Sequence, residues 1–242
     1  MIINTIAEKI KNGYSITIEE AHEIASHPQK EHLYSQANEI RKHFRGNYID
    51  LCSITNAKSG KCSEDCKWCS QSAFHATNIV EYDKIDRYEA LSQAINSNQK
   101  KVHRHSLVTS GRKLTDDELD YMLSIYKDIK EKTTLRLCAS FGLLNLQQLQ
   151  RLKEAGISRY HCNIETAPSY FPQVCTTHTI EEKLQTITWA HQAGLNVCSG
   201  VIIGMGETEA HRIEMAFTLK NLKVLSIPIN ILTPIEGPAI YN

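Results

Sequence analysis

The sequence predicts an α/β fold with parallel strands, a TIM-type βα barrel, and three observations carry that prediction. Strand-like runs alternate with helical runs six times, joined by short connections, which is the pattern of a parallel sheet. The 242 residues suffice for one sizeable core of this type. Unusual polar residues fall at the predicted strand ends all round the chain. That favours a barrel mouth over the single crevice of a doubly wound sheet.

Residues 1–47 read as a helical segment in three pieces. Asn12-Gly13 ends the first, and Thr17 with Glu20 three residues on forms a capping box for the second. The third runs from about Lys30 to Phe44 and stops at Arg45-Gly46-Asn47. Its expected place is the bottom of the barrel formed by residues 48–242. The first strand, Tyr48 to Thr55, leads into a cysteine-rich loop. A helix from Tyr88 to Asn98 precedes a strand from Val102 to Thr109. Thr115 caps a helix reaching about Lys130, followed by a strand from Thr134 to Ser140. Leu146 to Ala155 is a helix stopped by Gly156, and Arg159 to Ile164 a strand. Thr179, with Glu182, caps a helix to Ala193-Gly194. Asn196 to Ile203 is a strand, Thr208 to Leu222 a helix, and Val224 to Ile231 the sixth strand.

Composition narrows the function. Lys plus Arg and Asp plus Glu both number 27, so no basic surplus points to nucleic acid or an anionic membrane surface. No apolar run approaches the roughly 18 residues of a membrane span. The first residues lack a basic region ahead of an apolar stretch, so no signal peptide is expected. The eight cysteines then read as metal or redox ligands in a cytoplasmic protein more than as disulfides.

Three of them stand in Cys62-Ser63-Glu64-Asp65-Cys66-Lys67-Trp68-Cys69. Three soft thiolates in one loop can converge on one metal centre. A tetrahedral zinc site wants a fourth Cys or His close by. A [4Fe–4S] cluster with three thiolates leaves one iron open to chelate a ligand. A redox Cys66–Cys69 pair should open a helix, and Ser70-Gln71-Ser72-Ala73 is a poor opener. The iron–sulfur reading is favoured over a zinc knuckle or redox pair. Cys138 and Cys198 lie on separate predicted strands. Each is a small core residue or, near such a mouth, a ligand of a second cluster. In His161-Cys162-Asn163-Ile164-Glu165 the alternation places His161, Asn163 and Glu165 on one strand face. Three buried polar groups need partners, supplied by a lumen ligand or by a satisfied core network. Gly200-Val201-Ile202-Ile203-Gly204-Met205-Gly206-Glu207 reads by itself as a buried strand entering a glycine turn.

Together these stretches resemble a family. Cys-x3-Cys-x-aromatic-Cys, with Trp68 as the aromatic residue, is the signature of radical S-adenosylmethionine (SAM) enzymes. The wider match resembles biotin synthase within that superfamily. It covers Ser59 to Ser72, Tyr160 to Thr166, Thr176 to Thr179, Val197 to Thr208 and Ile227 to Asn230, in order. The resemblance implies that Cys62, Cys66 and Cys69 hold a [4Fe–4S] cluster whose open iron takes SAM. It implies conversion of dethiobiotin to biotin, with an auxiliary iron–sulfur cluster, [2Fe–2S] or a variant, donating sulfur. Cys138 and Cys198 would ligate that cluster, with Ser106 where many members carry a third cysteine. Asn163 and Glu165 would contact SAM ribose or dethiobiotin, Ile202 the adenine, and Asn230 the ureido ring. His178 stands where many members have an Arg near the SAM carboxylate. An electron donor such as flavodoxin or ferredoxin, and a homodimer for a full-length chain, are implied too.

The resemblance also implies two more strands after the stretch 234–239, the next bearing an Arg ligand of the auxiliary cluster. Six of eight strands cannot close a barrel, so an open arc with unpaired first and sixth strands is expected. Such a chain is expected to bind the primary cluster and make little biotin. The rival enzyme is a relative such as a hydrogenase maturase, and the rival non-enzyme an inert iron–sulfur-binding fragment. Cys138 with Cys198 argues for sulfur insertion. Cys66→Ala is expected to abolish the loop's iron and SAM cleavage together. Iron analysis and 5′-deoxyadenosine release after anaerobic reconstitution check this, and unchanged values would remove the assignment.

Overall fold

The structure, a computed structural model, describes residues 2–233 and 235–237. Pro234, Pro238 and Ala239, of the stretch after which the resemblance implies two more strands, lie outside the described residues. The chain opens with helices α1 (Ile2–Lys11), α2 (Ile18–Ser26) and α3 (Lys30–Arg45). The Thr17 hydroxyl accepts from Glu20 N at 3.2 Å, and the Glu20 carboxylate accepts from Thr17 N at 2.9 Å, closing the capping box.

Strands and helices then alternate. The elements are β1 (Cys52–Lys58), α4 (Arg87–Gln99), β2 (Arg104–Thr109), α5 (Asp116–Lys132), β3 (Arg136–Ser140), α6 (Leu146–Glu154) and β4 (Arg159–His161). After them come a 3-10 turn (Phe171–Gln173), α7 (Ile180–Gln192), β5 (Asn196–Cys198), β6 (Val201–Ile203), α8 (Glu209–Asn221) and β7 (Ile229–Ile231). All paired strands are parallel, in the order β1-β2-β3-β4-β5, with β6-β7 a separate pair. Single bridges from Glu165 to Val201 and from Cys198 to Ser226 carry the arc from one set to the other. Among the described residues, β1 pairs only with β2 and β7 only with β6, so the sheet is open.

The six predicted runs give seven strands, because the fifth breaks at Ser199-Gly200. Gly200 N donates to the Asn163 side chain at 2.8 Å instead of to a neighbouring strand. A Cβ at Gly200 would sit 2.0 Å from Pro228 O, so the backbones touch where only glycine fits. The sixth run is a strand only at Ile229–Ile231, because Pro228 offers no N–H to a ladder. Two bonds still tether the segment before it: Leu225 N to Val197 O and Ser199 N to Ser226 O, at 3.1 and 3.0 Å. The fourth strand ends at His161, and Glu165 takes a left-handed φ of 67°. His161, Asn163 and Glu165 are therefore not three steps of one strand. The first strand begins at Cys52 and not at Tyr48, which stacks on His103 with ring centroids 5.6 Å apart.

The two faces of the sheet are chemically distinct. Leu107, Ala139, Tyr160 and Val197 face the helices and join the main core. Helix α5 meets them with Leu119, Met122, Ile125, Tyr126 and Ile129, a helical-period stripe. The alternate residues Arg104, Ser106, Cys138, His161 and Cys198 line a cavity on the other face.

Gly200→Ala is expected to destabilise the chain by about 1–3 kcal/mol, since the methyl group meets backbone that cannot swing aside. Urea unfolding checks this, and a change within about 0.5 kcal/mol would show that the contact yields.

Candidate functional site

The loop after β1 carries the triad, and its shape comes from backbone bonds. Cys62 N donates to Gln71 O at 2.9 Å, Ala73 N to Cys62 O at 2.8 Å and Cys69 N to Cys66 O at 3.0 Å. Lys67 N reaches across to Val174 O at 3.0 Å. Two acidic side chains hold the loop against residues 175–178. The Asp65 carboxylate accepts from Thr176 N at 2.9 Å, from Thr177 N at 3.2 Å and from the Thr176 hydroxyl. Glu64 accepts from the Thr177 hydroxyl at 2.8 Å and lies 2.6 Å from His178 Nδ1. Burial works against both charges, yet these hydrogen bonds hold the Asp65 carboxyl well below the usual carboxylate range and depress Glu64 as well.

Cys62, Cys66 and Cys69 line one cavity of about 470 Å³. Trp68, the aromatic residue of the motif, stands on its wall with Asn163, Glu165 and His178, so three of the residues expected near SAM share the triad's space. Burial pushes the Glu165 carboxyl up, opposed by Lys183, whose ammonium is 3.8 Å away. Lys183 also donates to Asn163 O at 3.1 Å. Burial disfavours the lysine's charge too, but Glu165 holds it above its ordinary value. Asn163 bonds to Gly200 N and to Glu165, tying the strand break to the cavity wall. His161 is pushed down to about 4 by burial and by Lys183, so it is neutral at neutral pH.

A second cavity, of about 910 Å³, lies further along the same sheet face. Ser106, Cys138, Cys198 and Asn230 line it, as does Cys52. The hydrogen bond from Cys138 draws the Cys52 thiol down to about 7 against the effect of burial, helped by Arg159 and Arg104, while Cys138 is pushed far up. Burial raises the Cys198 thiol. Arg159 Nε is buried on this wall without a hydrogen-bond partner among the described residues. Ile202 lines neither cavity and pairs in register with Asn230. Cys162 packs in the core, and Cys175 lies 3.7 Å from Cys66, sulfur to sulfur.

Sequence reasoning missed Cys52, Lys183 and the position of Cys175. Cys52 shares its strand face with Ile54, a signal visible once the strand is started at residue 52. Lys183 falls on the apolar stripe Ile180, Lys183, Thr186, Ile187, Ala190 of α7, an unusual place for a lysine. Glu207 of the glycine-rich stretch is structural. Its carboxylate accepts from Gly204 N and Met205 N and pairs with Arg212 at 2.7 Å.

The Radical SAM superfamily profile matches residues 57–219. The chain is 48% identical over 242 residues to the biotin synthase of Parabacteroides distasonis, covering all of this chain and 74% of that protein. It is 49% identical over 241 residues to the biotin synthase of Clostridium botulinum strain Alaska E43, covering 76% of that protein. Among solved structures, methylornithine synthase superposes with a TM-score of 0.86 at 20% identity, over 98% of this chain and 70% of that one. The hydrogenase maturase HydG of Carboxydothermus hydrogenoformans superposes with a TM-score of 0.81 at 20% identity, over 99% of this chain and 58% of that one. These two likenesses show the fold alone.

Asp65→Asn is expected to cost about 1–3 kcal/mol at neutral pH, by loss of charge-assisted bonds to Thr176 and Thr177. Because the folded-state carboxyl is depressed, its contribution is present above the unfolded carboxyl's ordinary value and fades as pH falls below it. The gap between wild type and variant should therefore begin to narrow below about pH 4 and keep shrinking to the acid end, because it closes only as pH falls through the depressed folded-state value. Denaturant melts across pH 2–7 check this, and a pH-independent gap would refute the tether.

Proposed function

Because the chain belongs to the biotin synthase family of the radical SAM superfamily, we propose that this radical SAM enzyme inserts sulfur into dethiobiotin to form biotin. Cys62, Cys66 and Cys69 would hold the [4Fe–4S] cluster that binds SAM. An auxiliary iron–sulfur cluster would sit among Cys138, Cys198 and Cys52, with Ser106 beside them.

The observation that carries this reading is a shared lumen. The triad cavity and the second cavity have Ile54, Val108, Ser140 and His161 as common wall residues, so a substrate at that junction faces both thiol sets. The donors suit iron–sulfur centres, which prefer soft thiolates. The unpartnered Arg159 Nε fits a wall meant to face an acceptor such as a cluster sulfide. When bound, the triad cluster supplies the electron that cleaves SAM, and the auxiliary cluster supplies sulfur.

The chain's own residues bind and orient. Glu165, 3.8 Å from the Lys183 ammonium, and Asn163 offer hydrogen-bonding groups to SAM or substrate hydroxyls at the triad cavity. His178, braced by Glu64, stands on the same wall. Neutral His161 marks the junction without placing a charge next to an apolar substrate chain. Asn230, on the far wall, suits a ureido ring, whose donors and acceptors match an amide. Ile202, beside it in register, keeps the neighbouring surface apolar. Electrons would come from a small carrier such as flavodoxin or ferredoxin, in a reducing compartment such as the cytoplasm, in keeping with eight free cysteines. The open edge at β1 exposes Cys52 and Ile54, so water reaches the lumen and turnover by this chain alone is expected to be slow.

After anaerobic reconstitution, Cys138→Ala and Cys52→Ala are each expected to lose auxiliary iron and sulfide while keeping the triad's. With SAM present, the reconstituted wild type should bind dethiobiotin in equilibrium dialysis. Full iron content in both variants would refute the auxiliary site, and absence of dethiobiotin binding would refute the substrate.

A further inference from the structure

Cys175 belongs to neither thiol set, yet it is placed for metal chemistry. Its sulfur lies 3.7 Å from Cys66 Sγ, 3.9 Å from His178 Nε2 and 3.2 Å from His178 Nδ1. One ligand atom from each of Cys66, Cys175 and His178 falls within 4.8 Å of the others, and all three residues are buried. Among the described residues this is the one such group, and the triad sulfurs do not form another. A cluster spreads its thiolates, whereas a single ion draws them together. We propose that Cys66, Cys175 and His178 form a mononuclear site for a thiophilic divalent cation of the zinc class.

The spacing suits tetrahedral coordination. Bonds of about 2.3 Å to sulfur and about 2.0 Å to nitrogen place two thiolates about 3.8 Å apart and a thiolate about 3.6 Å from an imidazole. With the ion on Nε2, which lies 3.9 Å from the Cys175 sulfur, the Glu64 carboxylate, 2.6 Å from His178 Nδ1, would accept the Nδ1 N–H. This is the carboxylate–histidine–metal arrangement that fixes tautomer and ring orientation. Phe171 packs edge-on against the same ring with centroids 5.4 Å apart. Two thiolates neutralise a divalent ion, so the buried site carries no net charge. Three protein ligands leave a fourth position for water or an external thiol.

Cys66 also belongs to the triad, so the ion and the [4Fe–4S] cluster exclude each other. The ion site stands on its own geometry; the exclusion alone rests on the triad's holding a cluster. Cys175 thereby gives the chain a zinc-filled state closed to SAM chemistry until the ion leaves.

The test titrates cobalt(II), then zinc, into the full chain in its cluster-free, reduced form under anaerobic conditions. One cobalt per chain is expected, with thiolate-to-cobalt charge transfer and intense tetrahedral d–d bands, displaced by zinc. Cys175→Ala and His178→Ala should weaken binding by at least about 100-fold, since even supporting residues of metal sites carry 10–100-fold effects. Cys62→Ala and Cys69→Ala should keep the bands, which preserves the test if the first two variants fold poorly. Loss of the bands in Cys62→Ala with retention in Cys175→Ala would place the ion on the triad and overturn the site. Absence of tetrahedral bands in the wild type would overturn it too. In a second arm, zinc-loaded wild type should take up cluster iron more slowly than zinc-treated Cys175→Ala. Equal uptake would overturn the exclusion and leave the ion site standing. Failure of either chain to take up iron without zinc would count against the triad cluster instead.

Discussion

Two neighbouring carboxylates, Glu64 and Asp65, hold the cysteine loop in place, and the triad cavity depends on that tether. Asp65 caps the backbone of Thr176 and Thr177, and Glu64 reaches Thr177 and His178. Apart from Cys66, Trp68 and Cys69, which pack in or against the main core, the loop has little apolar surface to bury. Charge-assisted bonds to backbone N–H groups are the strongest local means of fixing it. The same contacts bring residues 175–178 to the triad, which is why Cys175 comes to touch Cys66 although 109 positions separate them. The loop therefore owes its shape to its own backbone bonds and its docking to the bonds made by Glu64 and Asp65.

The open sheet depends on a second economy. Each strand must bury one face against the helices and present the other to the lumen. Two tyrosines help. Tyr126 accepts from Leu107 N at 3.1 Å and donates to Cys138 O, and Tyr160 accepts from Phe141 N at 3.3 Å and donates to Gly142 O at 2.6 Å. Both are fully buried, so their hydroxyls satisfy backbone groups that water cannot reach. With the outer face closed in this way, polar and sulfur side chains are left to the lumen. Arg104 anchors to Asp50 at 3.1 Å there, and the cysteines sit among such charged neighbours.

Much of this was legible along the chain. Helix starts at Thr17, Thr115 and Thr179 were visible because a capping box is a local device, complete within four residues. The triad was legible for the same reason: its three cysteines fall within one loop. Cys138 and Cys198 were found through their strand positions, and they do share one cavity. The broken fifth strand was not legible. Its cause is the approach of Pro228 to Gly200, a contact between segments that sequence spacing does not report. Glu165 was expected to continue a strand. Its positive φ instead accompanies an ion pair with Lys183, which lies on a helix.

By itself, then, the sequence determined the alternation and order of strands and helices, several helix caps, the cysteine loop and the family the chain belongs to. Each of these depends on residues near one another in the chain or on a pattern with a fixed period. Tertiary structure alone decided which distant side chains meet: Cys52 with Cys138, Lys183 with Glu165, and Cys175 with Cys66 and His178. Those meetings follow from the register of parallel strands and from loop docking. A shift of one residue in strand register would turn Cys138 and Cys198 from the lumen into the core, because side chains alternate faces along a strand.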